Sequence, residues 1–302
     1  MYFTVSRRTD IPAFFWDWFS HRLDEGYCMV RNPKFPEKVS RYSLLPEDVD
    51  LFYFMSKNYL PALHHEHPIA DVVKKFPCLF EFTITPYGRD VEPHLPDKRD
   101  LVKGLWELSS AAGRENLRWC YDPVVITNKY SVDFHKKNFG YLAELIAPYV
   151  SSARINFVNL YDHVQKNVPD IFTPTKLQKE ELLQSFVSTA REHFLSLTCC
   201  PGSAFSSYGF EEKPCVSVLD TQRLSGKKIS RKKKDGCLMC SQNSARDLGL
   251  YNTCPHGCTY CYATTDYTKA IETVSKNYDP KVPMLLDHLQ GHEVISGGSS
   301  GR

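Results

Sequence analysis

No stretch of this sequence stays apolar for anything near the roughly 20 residues that a bilayer-spanning helix needs, so no membrane segment is expected. The first residues, "MYFTVSRRTD", lack the basic segment, apolar run and small-residue cleavage site of a secretory signal. They read instead as a strand followed by charges. The chain also lacks net charge: 37 basic against 35 acidic side chains leave +2, which gives no overall attraction to nucleic acid or to a membrane surface. A cytoplasmic protein is the simplest expectation. With 42% hydrophobic and 24% charged residues among 302, the composition is that of a globular protein, either two ordinary domains or one barrel of roughly 250 residues.

Cysteine, by contrast, is plentiful. Eleven cysteines would suggest disulfides in a small secreted domain, but this chain is large, the count is odd and no export signal stands at its start, so reduced thiols are expected. Their distribution says more than their number. Cys28, Cys78 and Cys120 are scattered, whereas the other eight fall between Cys199 and Cys261.

Short β-rich runs alternate with amphipathic segments along the chain, the pattern of βα units and a parallel sheet. Strands are expected at 2–6, 50–55, 79–85, 118–122, 155–162, 194–199, 215–220 and 247–252, and helices around 13–25, 98–112, 131–149 and 175–193. The count of eight points to an α/β fold of the (β/α)₈ TIM-barrel type, complete or broken. Residues 1–268 would form this single barrel-like domain, with a cysteine-rich loop at 237–263. Residues 269–302 would form an extension whose end, "HEVISGGSSGR", is flexible in composition.

Catalytic groups in such folds gather at the C-terminal ends of the strands, and the strand ends here are polar. The first runs into Arg7, Arg8 and Asp10, the second into Lys57 and Asn58, the third into Tyr87. The fourth ends in Tyr121 and Asp122, the fifth in Tyr161 and Asp162, the sixth in Cys199 and Cys200. Each has a structural reading as well: Asp10 suits a helix N-cap with Pro12 in the first turn, and Asp122 before a proline suits a turn. Placed together, they would converge on one pocket. The basic run at 223–236 reads mainly as a solvated linker, with phosphate contact as its functional alternative.

The segment "CPHGCTYCYA" at 254–263 carries the firmest chemistry. Cys254, Cys258 and Cys261 form CxxxCxxC, three thiolates on one short loop, which can hold a [4Fe–4S] cluster and leave one iron free of protein. A rival set uses Cys237 and Cys240 with Cys258 and Cys261: two CxxC pairs 17 residues apart, a spacing that suits a closed tetrahedral zinc site. A third arrangement leaves the cluster on Cys254, Cys258 and Cys261, and gives Cys237, Cys240 and one of Cys199, Cys200 or Cys215 to a second metal. Spacing alone leaves the three open.

The CxxxCxxC spacing with Tyr260 before the last cysteine resembles the cluster motif of the radical S-adenosylmethionine superfamily. The longer string "DLGLYNTCPHGCTYCYA" resembles the C-terminal signature of the bacterial family called domain of unknown function 1848. The segments "SRRTDIPAFF", "VRNP", "SKN" and "YDP" and the upstream CxxC follow in that family's order. The resemblance implies a [4Fe–4S] cluster on Cys254, Cys258 and Cys261, with S-adenosylmethionine at the open iron, an electron donor and an unknown substrate. It implies Tyr260 and Tyr262 near cluster or adenine, and Arg7, Arg8, Asp10, Lys57, Asn58, Tyr121 and Asp122 as cofactor- or substrate-binding candidates. Since the cysteine loop follows the last strand, the barrel would be circularly permuted or incomplete. The alternative is a zinc- or cluster-stabilised binding module, with nucleic acid as the partner suggested by the basic run.

Overall fold

The computed structural model describes residues 1–228 and 245–298. In chain order its strands are β1 (Tyr2–Val5), β2 (Tyr27–Arg31), β3 (Lys38–Ser43), β4 (Leu51–Ser56), β5 (Cys78–Thr83), β6 (Leu117–Val124), β7 (Ser152–Phe157), β8 (Leu197–Cys199), β9 (Glu211–Glu212), β10 (Ala245–Asp247) and β11 (Val294–Gly298). Between them lie α1 (Ile11–Phe14), α2 (Trp16–Glu25), α3 (Leu60–Leu63), α4 (Ile69–Lys75), α5 (Lys98–Ala112), α6 (Val132–Ile146), α7 (Asp162–Asn167), α8 (Lys176–Glu192), α9 (Val218–Ser225) and α10 (Tyr267–Asn277). No helix among the described residues is long and apolar enough to cross a membrane.

Eight strands form one sheet in the order β10-β1-β4-β5-β6-β7-β8-β9, and every pairing in it is parallel. The chain is therefore α/β, as the alternating pattern indicates. No pairing joins β9 to β10 among the described residues, so the closure of a barrel is not seen. The segment that leads into the cysteine loop lies beside the N-terminal strand, with Ala245 opposite Tyr2.

Local chemistry fixes the helix starts. Asp97 caps α5 at Arg99 N, Ser131 caps α6 at Phe134 N, and Thr175 with Gln178 forms a reciprocal capping box on α8, each satisfying amide groups that have no partner within the helix. The helix expected over 13–25 is divided at Phe15 into α1 and α2. The strand expected at 215–220 is a correction. Ser217 and Asp220 form another capping box and start α9 at Val218, while the edge position goes to the two-residue β9. Of 247–252 only Asp247 is in a strand. The antiparallel pair β2 and β3 lies in a second sheet, and β11, from the end expected to be flexible, pairs in parallel with β3.

Side chains alternate across a strand, and here the two faces of the large sheet differ in chemistry. Phe52, Phe54, Phe80, Phe82, Trp119 and Tyr121 belong to the main core, where Phe54 and Phe80 stack with centroids 5.1 Å apart. The residues between them carry polar groups to the other side. Tyr53 donates a short hydrogen bond to Glu81, and Arg154 Nε lies 3.3 Å from Glu81 Oε2.

Candidate functional site

A cavity of about 250 Å³ opens at the C-terminal ends of β1, β4, β5, β6 and β7. Arg7, Arg8, Asp10, Lys57, Asp122 and Tyr161 line it together with Cys254, Cys258, Cys261, Tyr260 and Tyr262. These groups come from segments more than 200 residues apart, and the parallel sheet brings them together because all of its strands point the same way.

Asp10 holds the first strand end to the cysteine loop. Its carboxylate caps α1 through Ala13 N at 3.1 Å, and accepts from Ser56 Oγ at 2.6 Å and Lys57 N at 2.8 Å. His256 Nε2 lies 2.8 Å from Asp10 Oδ2. A carboxylate can only accept, so Nε2 carries the proton, and His256 Nδ1 is left buried without a hydrogen-bond partner. The capping role read from the sequence and a role at the cavity belong to the same side chain.

A second anchor is Glu92, whose side chain is fully buried. It accepts from Lys57 Nζ at 2.8 Å and Thr85 Oγ1 at 2.6 Å, and by short hydrogen bonds from Lys98 and Tyr260. Burial alone would raise this carboxyl, but the Lys57 and Lys98 ammonium groups overcome it and hold the pKa at about 2. Lys57 Nζ also lies 5.4 Å from the centre of the Tyr260 ring, close enough for a cation–π attraction. Glu92 thus ties the second strand end to the last turn of the cysteine motif.

Asp122 has the opposite electrostatics. Burial, reinforced by Glu81 and Cys200, raises its carboxyl to about 7 although Asn156 donates a hydrogen bond to it at 2.8 Å. Its charge therefore changes near neutral pH. Tyr121, one residue earlier, points to the helix-covered face and takes no part in the lining. Its hydroxyl meets His135 Nδ1 at 2.7 Å, and His135 Nε2 is bound to Val125 O at 2.8 Å. Asn58 also lies off the cavity, where its side chain accepts from Leu60 N at 3.1 Å.

The cysteine loop is held on several sides. Gly257 turns it with φ +66°, and a Cβ there would stand 3.0 Å from His94 Cδ2 and 3.1 Å from the Tyr267 ring. Thr259 N donates to Val91 O at 3.0 Å, His163 Nε2 to Cys261 O at 2.9 Å, and Tyr262 OH to Arg7 O at 2.6 Å. Burial pushes the Cys254 thiol well up, with Asp10, Cys261 and Cys258 adding to the effect. It raises Cys258 as well, against the pull of Lys57. The three thiols are near enough to feel one another's charge. Even so, no three His, Cys, Asp or Glu groups among the described residues are gathered as a single metal ion would require.

Cys237 and Cys240 lie outside the described residues, as do residues 229–236 of the basic run. Within the described part of that run Arg223 donates to Asn116 Oδ1 at 2.7 Å and Lys227 pairs with Asp50 at 2.9 Å. Arg223 and Lys227 thus have partners inside the chain.

Sequence reasoning missed Glu92 and His256. Glu92 stands alone in "DVEPH" with nothing to announce its partners. His256 sits inside the cysteine motif, and its nearness to three thiols was the available signal.

A family profile described as Domain of unknown function (DUF1848) matches residues 3–263. No curated protein and no solved structure matches the chain. The profile spans most of the sequence, from the first strand through the last cysteine of the motif, and the chain belongs to that family.

Proposed function

We propose, starting from that membership, that this chain is an iron–sulfur enzyme of the radical S-adenosylmethionine type on an incomplete (β/α)₈-like barrel, with Cys254, Cys258 and Cys261 as the cluster ligands. The observation that carries the reading is the shared lining: three thiols and the polar strand ends Arg7, Arg8, Asp10, Lys57 and Asp122 face one cavity. Three thiolates on one short loop are the usual ligands of a [4Fe–4S] cube and leave one iron free of protein.

Cys254, Cys258 and Cys261 would hold the cluster, which would supply the electron for radical chemistry with S-adenosylmethionine. The protein's own groups then have definite tasks. Asp10 orients His256 within the ligand loop. Glu92 fixes Lys57 and Tyr260 against the loop, and Tyr260, Tyr262 and Phe157 cover the cavity with aromatic surface that limits water. Asp122, protonated below about pH 7, is a group that can give or take a proton beside the substrate.

The test is iron and sulfide analysis of protein reconstituted without oxygen, in wild type and in Cys254→Ser, Cys258→Ser and Cys261→Ser, with Cys78→Ser as the control. The reading expects about four of each per wild-type chain, loss in the three loop variants and retention in the control. A colourless protein holding one zinc, or retention in all three loop variants, would sink it.

A further inference from the structure

A second thiol pair lies beyond the cavity lining. Cys200 follows β8 and Cys215 follows β9, and the pairing of these two strands, with Cys199 opposite Glu212, brings both cysteines to one edge of the sheet. The backbone that presents Cys215 is held by two arginines. Arg154 donates to Lys213 O at 3.2 Å and to Pro214 O at 3.3 Å, and Arg118 donates to Cys215 O and to Asp220 Oδ1 at 3.0 Å. Lys213 N donates to Cys199 O at 3.0 Å. The two ends of the chain between the cysteines are thus held side by side, with Arg154 in contact with both.

The surroundings suit thiol chemistry. Arg154 is buried, with 2% of its surface exposed, and its Nη1 lies 3.9 Å from Cys200 Sγ. A guanidinium there stabilises a thiolate and repels a bare cation. Its effect on Cys200 comes after that of the Cys215 hydrogen bond, and together they pull the thiol below its ordinary range against the opposing effect of burial. Among the described residues no third His, Cys, Asp or Glu completes a metal group with the pair. Both cysteines are partly exposed, so a small reactant can reach them.

We propose that Cys200 and Cys215 are a reactive thiol pair that closes to an intramolecular disulfide by exchange with low-molecular-weight disulfides. The Cys200 thiolate attacks one sulfur of the reagent RS–SR, forming a mixed disulfide and releasing one thiolate RS⁻. The Cys215 thiolate then attacks Cys200 Sγ, forms the internal disulfide and displaces the second RS⁻. The protein loses two electrons and two protons, and the reagent becomes two molecules of RSH. Because the Cys200 charge acts on Asp122, closing the bond alters the electrostatics of the cavity. Nothing in this inference depends on the cluster.

The test exposes reduced, full-length protein to oxidised glutathione without oxygen, then alkylates free thiols and maps peptides by mass. In wild type we expect a Cys200–Cys215 linked peptide, lighter by the two hydrogens lost. Cys215→Ser should trap glutathione on Cys200, and Cys200→Ser should react at Cys215 at least tenfold more slowly. The proposal is overturned if both thiols of the wild type remain alkylatable, if Cys200 links instead to another cysteine, or if wild type holds a zinc that blocks the reaction and is lost in Cys200→Ser.

Discussion

His256 Nε2 stands 2.8 Å from Asp10 Oδ2, which joins a residue of the cysteine motif to the end of the first strand across 246 positions of sequence. The same carboxylate caps α1 and receives the Lys57 amide. One buried acid therefore sets the position of three segments around the cavity.

Replacing it should be costly. Asp10→Ala removes a helix cap and leaves buried donors on Ser56, Lys57 and His256 without their acceptor, a combination worth about 3 kcal/mol. Urea unfolding should show that loss, while Asp10→Asn, which keeps one acceptor oxygen, should lose less. Equal stability of Asp10→Ala and wild type would contradict the anchoring role.

Glu92 gives a pH signature. Its folded pKa lies at about 2, below its ordinary 4.5, so its contribution is present above pH 4.5 and disappears as pH falls through about 2. A depression of that size corresponds to about 3 kcal/mol. Glu92→Gln should be less stable than wild type at pH 7, and the gap should close between pH 4.5 and 2. A gap independent of pH would show that the carboxylate charge is not what Lys57 and Lys98 require.

Asp122 should behave in the reverse sense. Its folded pKa is raised from 3.8 to about 7, so stability is full below pH 3.8 and falls as pH rises through 7. Asp122→Asn escapes that loss, and above pH 7 it should be more stable than wild type by as much as about 4 kcal/mol. Thermal unfolding at pH 4 and pH 8 checks this. Once a substrate is known, the same variant should lose turnover, a trade of activity for stability.

Gly257→Ala should disturb the cysteine loop locally. The position has φ +66° and no free space beside His94 and Tyr267, so the substitution should cost about 1–2 kcal/mol and weaken iron retention. Iron content after gel filtration of the reconstituted variant, compared with wild type, is the readout.

Much of the fold is legible in the sequence because β-rich runs and amphipathic helices alternate with clear caps. The α5 and α8 starts at Asp97 and Thr175 are examples. The failure at 215–220 has a local cause: "CVSVLD" has strand composition, but the pair Ser217 and Asp220 at capping-box spacing outweighs it. Tyr121 and Asp122 both stand at a strand end, yet alternation sends one to the core and the other to the cavity, and only the register decides which. Glu92 was not legible, since its partners Lys57, Lys98 and Tyr260 meet it only once the sheet has formed. Counting strands could not tell whether β9 and β10 would pair, and among the described residues they do not.

The most direct measurement is electron paramagnetic resonance of the dithionite-reduced, reconstituted protein with and without S-adenosylmethionine. We expect the signal of a reduced [4Fe–4S] cluster that shifts when S-adenosylmethionine is added, because the proposed three-cysteine site would leave one iron without a thiolate ligand. A reduced protein without a cluster signal, or a signal that S-adenosylmethionine leaves unchanged, would contradict the account.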